Sequence, residues 1–223
     1  AKLQHANIVQ IYDFDKGEGQ YYIAMELVEG RDLRRVVFAT RNAGMRLRID
    51  MALFIATEVL KGLHYAHSRQ FAGRPLGVIH RDISPHNVLV SNAGEVKITD
   101  FGIAKAVSRA TTTRSGVIKG KTAYMSPEQA SAAPVDQRSD LFAVGVVLYE
   151  LATGERPFVG DSDAELLARV RRCEFRAPRE VRHDLDPALE QVILRLMTRM
   201  PGGRYATAAE AEGMGLVNRV VAP

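Results

Sequence analysis

Two acidic side chains and an amide stand at fixed spacing in the stretch 78–102, VIHRDISPHNVLVSNAGEVKITDFG. Asp82 precedes Asn87 by five positions, and Asp100-Phe101-Gly102 follows a short hairpin pattern that would bring all three side chains to one edge. Such a set suits movement of a phosphoryl group. That reaction needs little covalent help, only a carboxylate to take the acceptor's proton and hard oxygen donors to hold magnesium. Asp82 is the candidate base, and Asn87 and Asp100 are the candidate magnesium ligands.

Several elements must hold these residues. The hairpin itself is written in 87–90 and 95–98, flanking the turn signature Asn92-Ala93-Gly94. Upstream, 51–68 sets Ala52, Ile55, Ala56, Val59, Leu60, Leu63 and Ala66 at helical spacing, so one face packs on a core. A shorter helix is predicted over 32–40. His64 and His67, on or beside the longer helix, read as structural or surface residues. Downstream, Ser139 and Asp140 read as the N-cap of a helix that is apolar nearly all round over 141–148, and hence buried. Amphipathic helices are predicted over 161–172 and 187–200. Strand signals at 8–14 and 21–27 flank a turn-rich cluster at 15–19. The stretch 70–77 reads as a loop, and 103–125 has no clear period.

The composition sets outer bounds. A chain of 223 residues with 46% apolar content can bury a core, and 30 basic against 26 acidic residues leave a net charge of only +4. Arg169, Arg171, Arg172, Arg176, Arg179 and Arg182 gather without interleaved aromatic platforms, so they read as a solvated face and loop and not as a nucleic-acid surface. The single cysteine, Cys173, excludes an internal disulfide and reads as a packing residue in a reducing compartment. No apolar run approaches the roughly 20 residues of a membrane span.

Five landmarks occur in order: the stretch 80–87, Asp100-Phe101-Gly102, Ser126-Pro127-Glu128, Ser139-Asp140 opening an apolar helix, and Arg204 near the end. Their order and spacing resemble the eukaryotic-like (Hanks-type) serine/threonine protein kinases of bacteria. The insert at 70–77 is similar to that of proteobacterial, especially myxobacterial, members. The resemblance implies an α+β, protein-kinase-like fold: a mainly helical C-terminal lobe with a residual antiparallel sheet of the N-terminal lobe. Residues 1–27 would hold the end of the small lobe's helix and the two strands after it, and 28–223 the hinge and the large lobe. ATP and Mg2+ would be the cofactors, serine or threonine hydroxyls of a protein substrate the acceptors, bacterial signalling the setting and the cytoplasm the location.

By family register, Met25 is the gatekeeper, Glu26 and Val28 offer backbone groups to the adenine, Asp32 touches the ribose, and Leu89 lies under the adenine. An ordinary strand leaving a sheet is the alternative for 25–28. Phe101 would pack against His80, the aspartate opening the apolar helix would hold the catalytic-loop backbone, and Arg204 would pair with Glu128. The stretch 103–125 would be the activation segment. Thr111, Thr112, Thr113 and Ser115 are its candidate autophosphorylation sites, and Arg81 is the guanidinium partner for such a phosphate. A flexible polar loop is the alternative there.

No Gly-x-Gly-x-x-Gly and no Val-Ala-Ile-Lys context occurs, so the parts that grip the phosphates are not among these residues. The chain therefore reads as a catalytic domain truncated at its N-terminal side and inactive alone, with the apolar sides of 8–11 and 21–25 left bare. Two positions depart from the family's serine/threonine pattern. Ser84 stands where lysine is usual, and Lys121 stands where threonine is usual. Either the pair has exchanged sides, with Lys121 reaching the phosphate and bonding Ser84, or two independent losses have impaired the enzyme. Two other functional classes stay open, a small-molecule phosphotransferase of kinase-like fold and a non-catalytic binding module. Tyrosine specificity is disfavoured, because Ser84-Pro85 lacks the Ala/Arg pattern of those enzymes.

Overall fold

The computed structural model describes residues 3–17, 20–101 and 121–213. Its centre is helix α4 (Gln137–Thr153), in which every residue from Ser139 to Thr153 is buried. Helix α2 (Ile49–His67) and helix α7 (Pro187–Leu196) pack against it. The approach of α7 depends on Gly145, where a Cβ would fall 2.7 Å from Leu196 Cβ and 2.8 Å from Met197 Cγ. Leu60, Leu63, Leu141, Phe142, Leu148 and Ile193 fill the space between these helices. Each such side chain contributes about 1.5–3 kcal/mol on burial.

The start of α4 differs from the expectation. Its N-cap is Asp136, whose side chain accepts the amide of Arg138, and Ser139 and Asp140 lie inside the first turn with their polar atoms turned to other elements. The helix ends at Gly154, where a φ of 80° suits a residue without Cβ. Shorter helices surround the core: α1 (Leu33–Asn42), α3 (Pro127–Ala130), α5 (Asp163–Arg172), α6 (Pro178–Val181) and α8 (Ala208–Gly213). Ser162 caps α5, which starts two residues later than predicted, and α7 stops at Leu196, short of the predicted residue 200, with Met197 as its C-cap.

Strands β1 (Ile11–Gly17) and β2 (Gln20–Met25) form an antiparallel hairpin. The predicted strand over 8–14 thus begins late, because Ile8 and Val9 serve the core instead. Both are buried, Ile8 bridges Ile98, and Val9 N–H donates to Ile98 O at 2.9 Å. The bare apolar surface accordingly lies at Tyr12, Phe14, Tyr21, Tyr22 and Met25, not at the first residues of the stretch.

Strand β3 (Gly30–Asp32) joins β6 (Val88–Ser91) and β7 (Val96–Ile98) in an antiparallel sheet of order β3-β6-β7. Between β6 and β7 the chain turns through Gly94 with φ 86°. The stretch 70–77, expected as a loop, contains a minimal antiparallel pair, β4 (Gln70–Phe71) with β5 (Arg74–Pro75). Its tip, Ala72-Gly73, takes positive φ at both residues, which is the backbone of a tight hairpin turn. No helix among the described residues is long and apolar enough to cross a membrane.

Candidate active site

The catalytic stretch takes its shape from the interior of α4. Asp140, buried to 1% exposure, accepts His80 N–H through Oδ2 at 2.9 Å and Arg81 N–H through Oδ1 at 2.7 Å. Gln129 Nε2 of α3 donates to Arg81 O at 2.7 Å, so both backbone groups of Arg81 are fixed by side chains of two different helices. These bonds hold Arg81 at φ 69°, a left-handed conformation that a non-glycine residue keeps only when its surroundings impose it. His80 closes the other side: its Nε2 lies 2.8 Å from Thr99 O, and Phe101 meets the ring edge-on at 4.6 Å between centroids. Phe101 therefore packs where the resemblance implied.

Held this way, Asp82 meets two partners. Asn87 Nδ2 donates to Asp82 O at 2.7 Å and to Asp82 Oδ2 at 2.9 Å. Lys121 Nζ lies 2.5 Å from Asp82 Oδ2. Lys121 thus reaches the catalytic stretch, but the expected bond to Ser84 is not formed. Ser84 is fully buried, and its Oγ has no hydrogen-bond partner among the described residues. The ammonium goes instead to the carboxylate, which offers the stronger, charge-assisted bond.

Asp100 follows Thr99, whose N–H donates to Asn87 O at 2.9 Å, and so it stands beside Asn87 at φ 62°. Asn87 turns its amide nitrogen to Asp82, which leaves Oδ1 free of that contact. One amide oxygen and one exposed carboxylate then suit a small hard cation that takes its other ligands from phosphate and water.

Strand register brings two of the nucleotide-side candidates, Asp32 and Leu89, together. Asp32 is opposite Leu89, and Leu89 is opposite Lys97. Lys97 Nζ in turn lies 2.6 Å from Glu26 Oε1, and this hydrogen bond holds the Glu26 carboxyl below its usual range. Glu26 N–H is taken by Gln10 O at 2.8 Å, whereas Val28 stands beyond the end of β2. Asp32 has a structural task besides any contact to a ribose: it is the N-cap of α1 and accepts Arg35 N–H at 2.9 Å. Met25 is 41% exposed at the strand end.

Below the base, Ser126 caps α3 in a capping box with Gln129, and Glu128 forms a two-pronged pair with Arg204 at 2.6 and 2.8 Å. Ser139 Oγ adds a bond of 2.6 Å to Glu128. Burial alone would raise the Glu128 pKa. The Arg204 and Ser139 hydrogen bonds outweigh it and hold the carboxyl below its ordinary value. Tyr124, in a 3-10 turn (Thr122–Tyr124), donates to Glu150 Oε2, and burial followed by the Glu150 charge pushes its phenol pKa up.

Two histidines meet partners that the sequence did not specify, and His67, read as a structural or surface residue, is structural. His67 Nε2 lies 2.8 Å from Asp140 Oδ2 with 4% side-chain exposure, so it braces the very carboxylate that fixes the loop. Only its helical spacing on the buried side of α2 hinted at this. His86, inside the catalytic stretch, has its pKa lowered by burial and then by the charges of Arg34 and Lys121. Thr111, Thr112, Thr113, Ser115 and Gly102 lie outside the described residues.

The chain is similar to known proteins. The chain is 45% identical over 209 residues to "Tyrosine-protein kinase MasK" of Myxococcus xanthus, a match covering 93% of the chain and 32% of that protein. It is 36% identical over 210 residues to "Probable serine/threonine-protein kinase CA_C1728" of Clostridium acetobutylicum, over 94% of the chain and 30% of the relative. It is also 36% identical over 212 residues to "Serine/threonine-protein kinase PrkC" of Bacillus subtilis, over 95% and 31%. The chain thus spans about a third of the length of these curated relatives. With the protein kinase domain family matching residues 1–213, and the loop, the Asp-Phe turn and the Glu128–Arg204 pair in family order, this chain belongs to the protein kinases.

Proposed function

We propose that the chain carries the catalytic centre of a kinase that moves the γ-phosphoryl group of ATP to serine or threonine hydroxyls of a protein. The observation that carries the reading is the setting of Asp82, whose carboxylate is held by Asn87 and Lys121 on a loop fixed from below by Asp140. In this reading the acceptor hydroxyl gives its proton to Asp82 as its oxygen forms the new P–O bond. The bond from the γ-phosphorus to the bridging oxygen breaks, and ADP leaves with the electron pair. Lys121, beside the base, faces the charge that builds on the transferred group, in place of a lysine at Ser84. Asn87 and Asp100 would hold Mg2+, which supplies neutralisation of phosphate charge when bound.

On the nucleotide side, Met25, Leu89 and the backbone of Glu26 and Val28 take the adenine, and Asp32 the ribose. The exposed Arg81 guanidinium, which has no ion pair among the described residues, receives a phosphate on Thr111, Thr112, Thr113 or Ser115. A dependence on ATP puts this centre in the cytoplasm.

The test is the Asp82→Asn variant of the protein that carries this chain. Turnover falls by about 10²–10⁴-fold while nucleotide binding persists, and phosphoamino-acid analysis of the wild-type product gives phosphoserine or phosphothreonine. Recovery of phosphotyrosine alone favours the second reading, tyrosine transfer, which has in its favour the 45% identity to a relative so named. Unchanged transfer by the variant removes Asp82 from the mechanism.

A further inference from the structure

We infer that the groove beside the catalytic loop selects acceptor segments that carry aspartate or glutamate next to the target hydroxyl. The inference rests on the kinase reading and names its substrate class.

The groove, of about 750 Å³, starts at Pro85, three residues after the base, and has Tyr124 and Glu150 on its floor. One wall is α1, through Arg34, Phe38 and Arg41, and the other holds Arg156 and Val159. Its carboxylates are already matched. Glu150 accepts from Tyr124 and from Arg156 Nε at 3.2 Å, Glu155 pairs with Arg176 at 2.6 Å, and Glu174 pairs with Arg172 at 3.0 Å. Arg34 and Arg41 are exposed and have no ion pair among the described residues.

At the catalytic end stands His86, close enough to Arg34, Lys121 and Arg156 for all three cations to disfavour its protonation. The nearby carboxylate that acts in the opposite sense, Asp32, is engaged by Arg35 at 3.3 Å and by the cap of α1. Among the described residues, a lysine- or arginine-rich acceptor therefore finds no uncommitted carboxylate on these walls, whereas an acidic one meets the guanidiniums of Arg34 and Arg41, which have no ion pair there. Phe38 at 63% and Val159 at 54% exposure add apolar surface for the intervening side chains.

Exposed pairs of this kind are individually weak, so two of them give a preference of roughly 2- to 30-fold that fades with salt. The experiment uses the protein that carries this chain and three labelled peptides of equal length. Each has one central serine, flanked by Glu, Gln or Lys, and binding is read by fluorescence anisotropy at low and physiological salt. The Glu peptide binds tightest, its advantage shrinks with salt, and both Arg34→Gln/Arg41→Gln and Arg34→Glu/Arg41→Glu abolish it. Equal binding of all three peptides, preference for Lys, or an advantage that survives the double variants overturns the inference.

Binding requires no chemistry, which separates the two readings. Selective binding of the Glu peptide without Asp82-dependent phosphorylation in the protein that carries this chain would sink the kinase reading and leave the groove's selectivity standing. Asp82-dependent transfer to all three peptides at equal kcat/KM would do the reverse.

Discussion

Lys121 Nζ lies 2.5 Å from Asp82 Oδ2, although the two residues are 39 positions apart in the chain. This places a cation beside Asp82 in a chain with serine at position 84, without the bond to Ser84 that an exchange also implied. Lys121→Thr should lower turnover by about 10²–10³-fold, the usual effect of removing one group that stabilises transition-state charge. Adding Ser84→Lys to that variant should recover a large part of the loss, since the new ammonium starts two residues from Asp82. Steady-state kinetics of the single and double variants check this. A double variant no better than the single one would mean that Lys121 serves some other purpose.

Asp140→Asn should damage both stability and catalysis. An amide retains one acceptor oxygen where the carboxylate receives three donors, from His67, His80 and Arg81. Each orphaned buried donor costs about 1–3 kcal/mol, and loss of the Arg81 anchor lets the loop leave its left-handed turn. Urea unfolding should show the lower midpoint. His67→Phe, which removes only the brace, should show a smaller drop.

The Glu128–Arg204 pair should make stability depend on acid. The folded Glu128 pKa lies below the ordinary 4.5, so the pair's stabilisation is fully present above pH 4.5 and is lost as pH falls from there through the folded value. Glu128→Gln strands a buried guanidinium and should cost about 3–5 kcal/mol near neutrality. Thermal melts from pH 7 downward should find the gap between wild type and variant closing below pH 4.5.

The 223-residue chain by itself should transfer phosphate poorly, because no Gly-x-Gly-x-x-Gly or Val-Ala-Ile-Lys occurs in it to clamp the phosphates. Its hairpin also exposes Tyr12, Phe14, Tyr21 and Tyr22, so light scattering should rise with concentration. Incubation with ATP, magnesium and a generic protein acceptor checks the first point. Strong transfer abolished by Asp82→Asn would show that this chain suffices.

The helices and the catalytic hairpin were legible because each obeys a local rule: apolar spacing on α2, an all-apolar run in α4, and Asn92-Ala93-Gly94 between two short strands. The cap of α4 was misread because Asp136, Ser139 and Asp140 are all good capping residues. Only tertiary structure decides that the last two are needed by Glu128 and the catalytic loop. Strand 8–14 was misplaced for a similar reason, since pairing of Ile8 with Ile98 is a contact across 90 residues that no local pattern encodes. At the site, Asp82, Asn87 and Asp100 could be read from spacing, whereas the brace from His67 could not. A histidine on a helix face looks the same whether it meets water or a buried carboxylate.

The seat of Asp140 within α4 has a consequence for the life of the molecule. The amides that shape the catalytic loop are clasped by a side chain whose helix is buried from Ser139 to Thr153, so the form of the loop depends on the packing of that interior. A chain whose core is open has nothing to hold the His80 and Arg81 amides in place, so in the proposed kinase reading Asp82 is positioned only in a chain whose interior is packed.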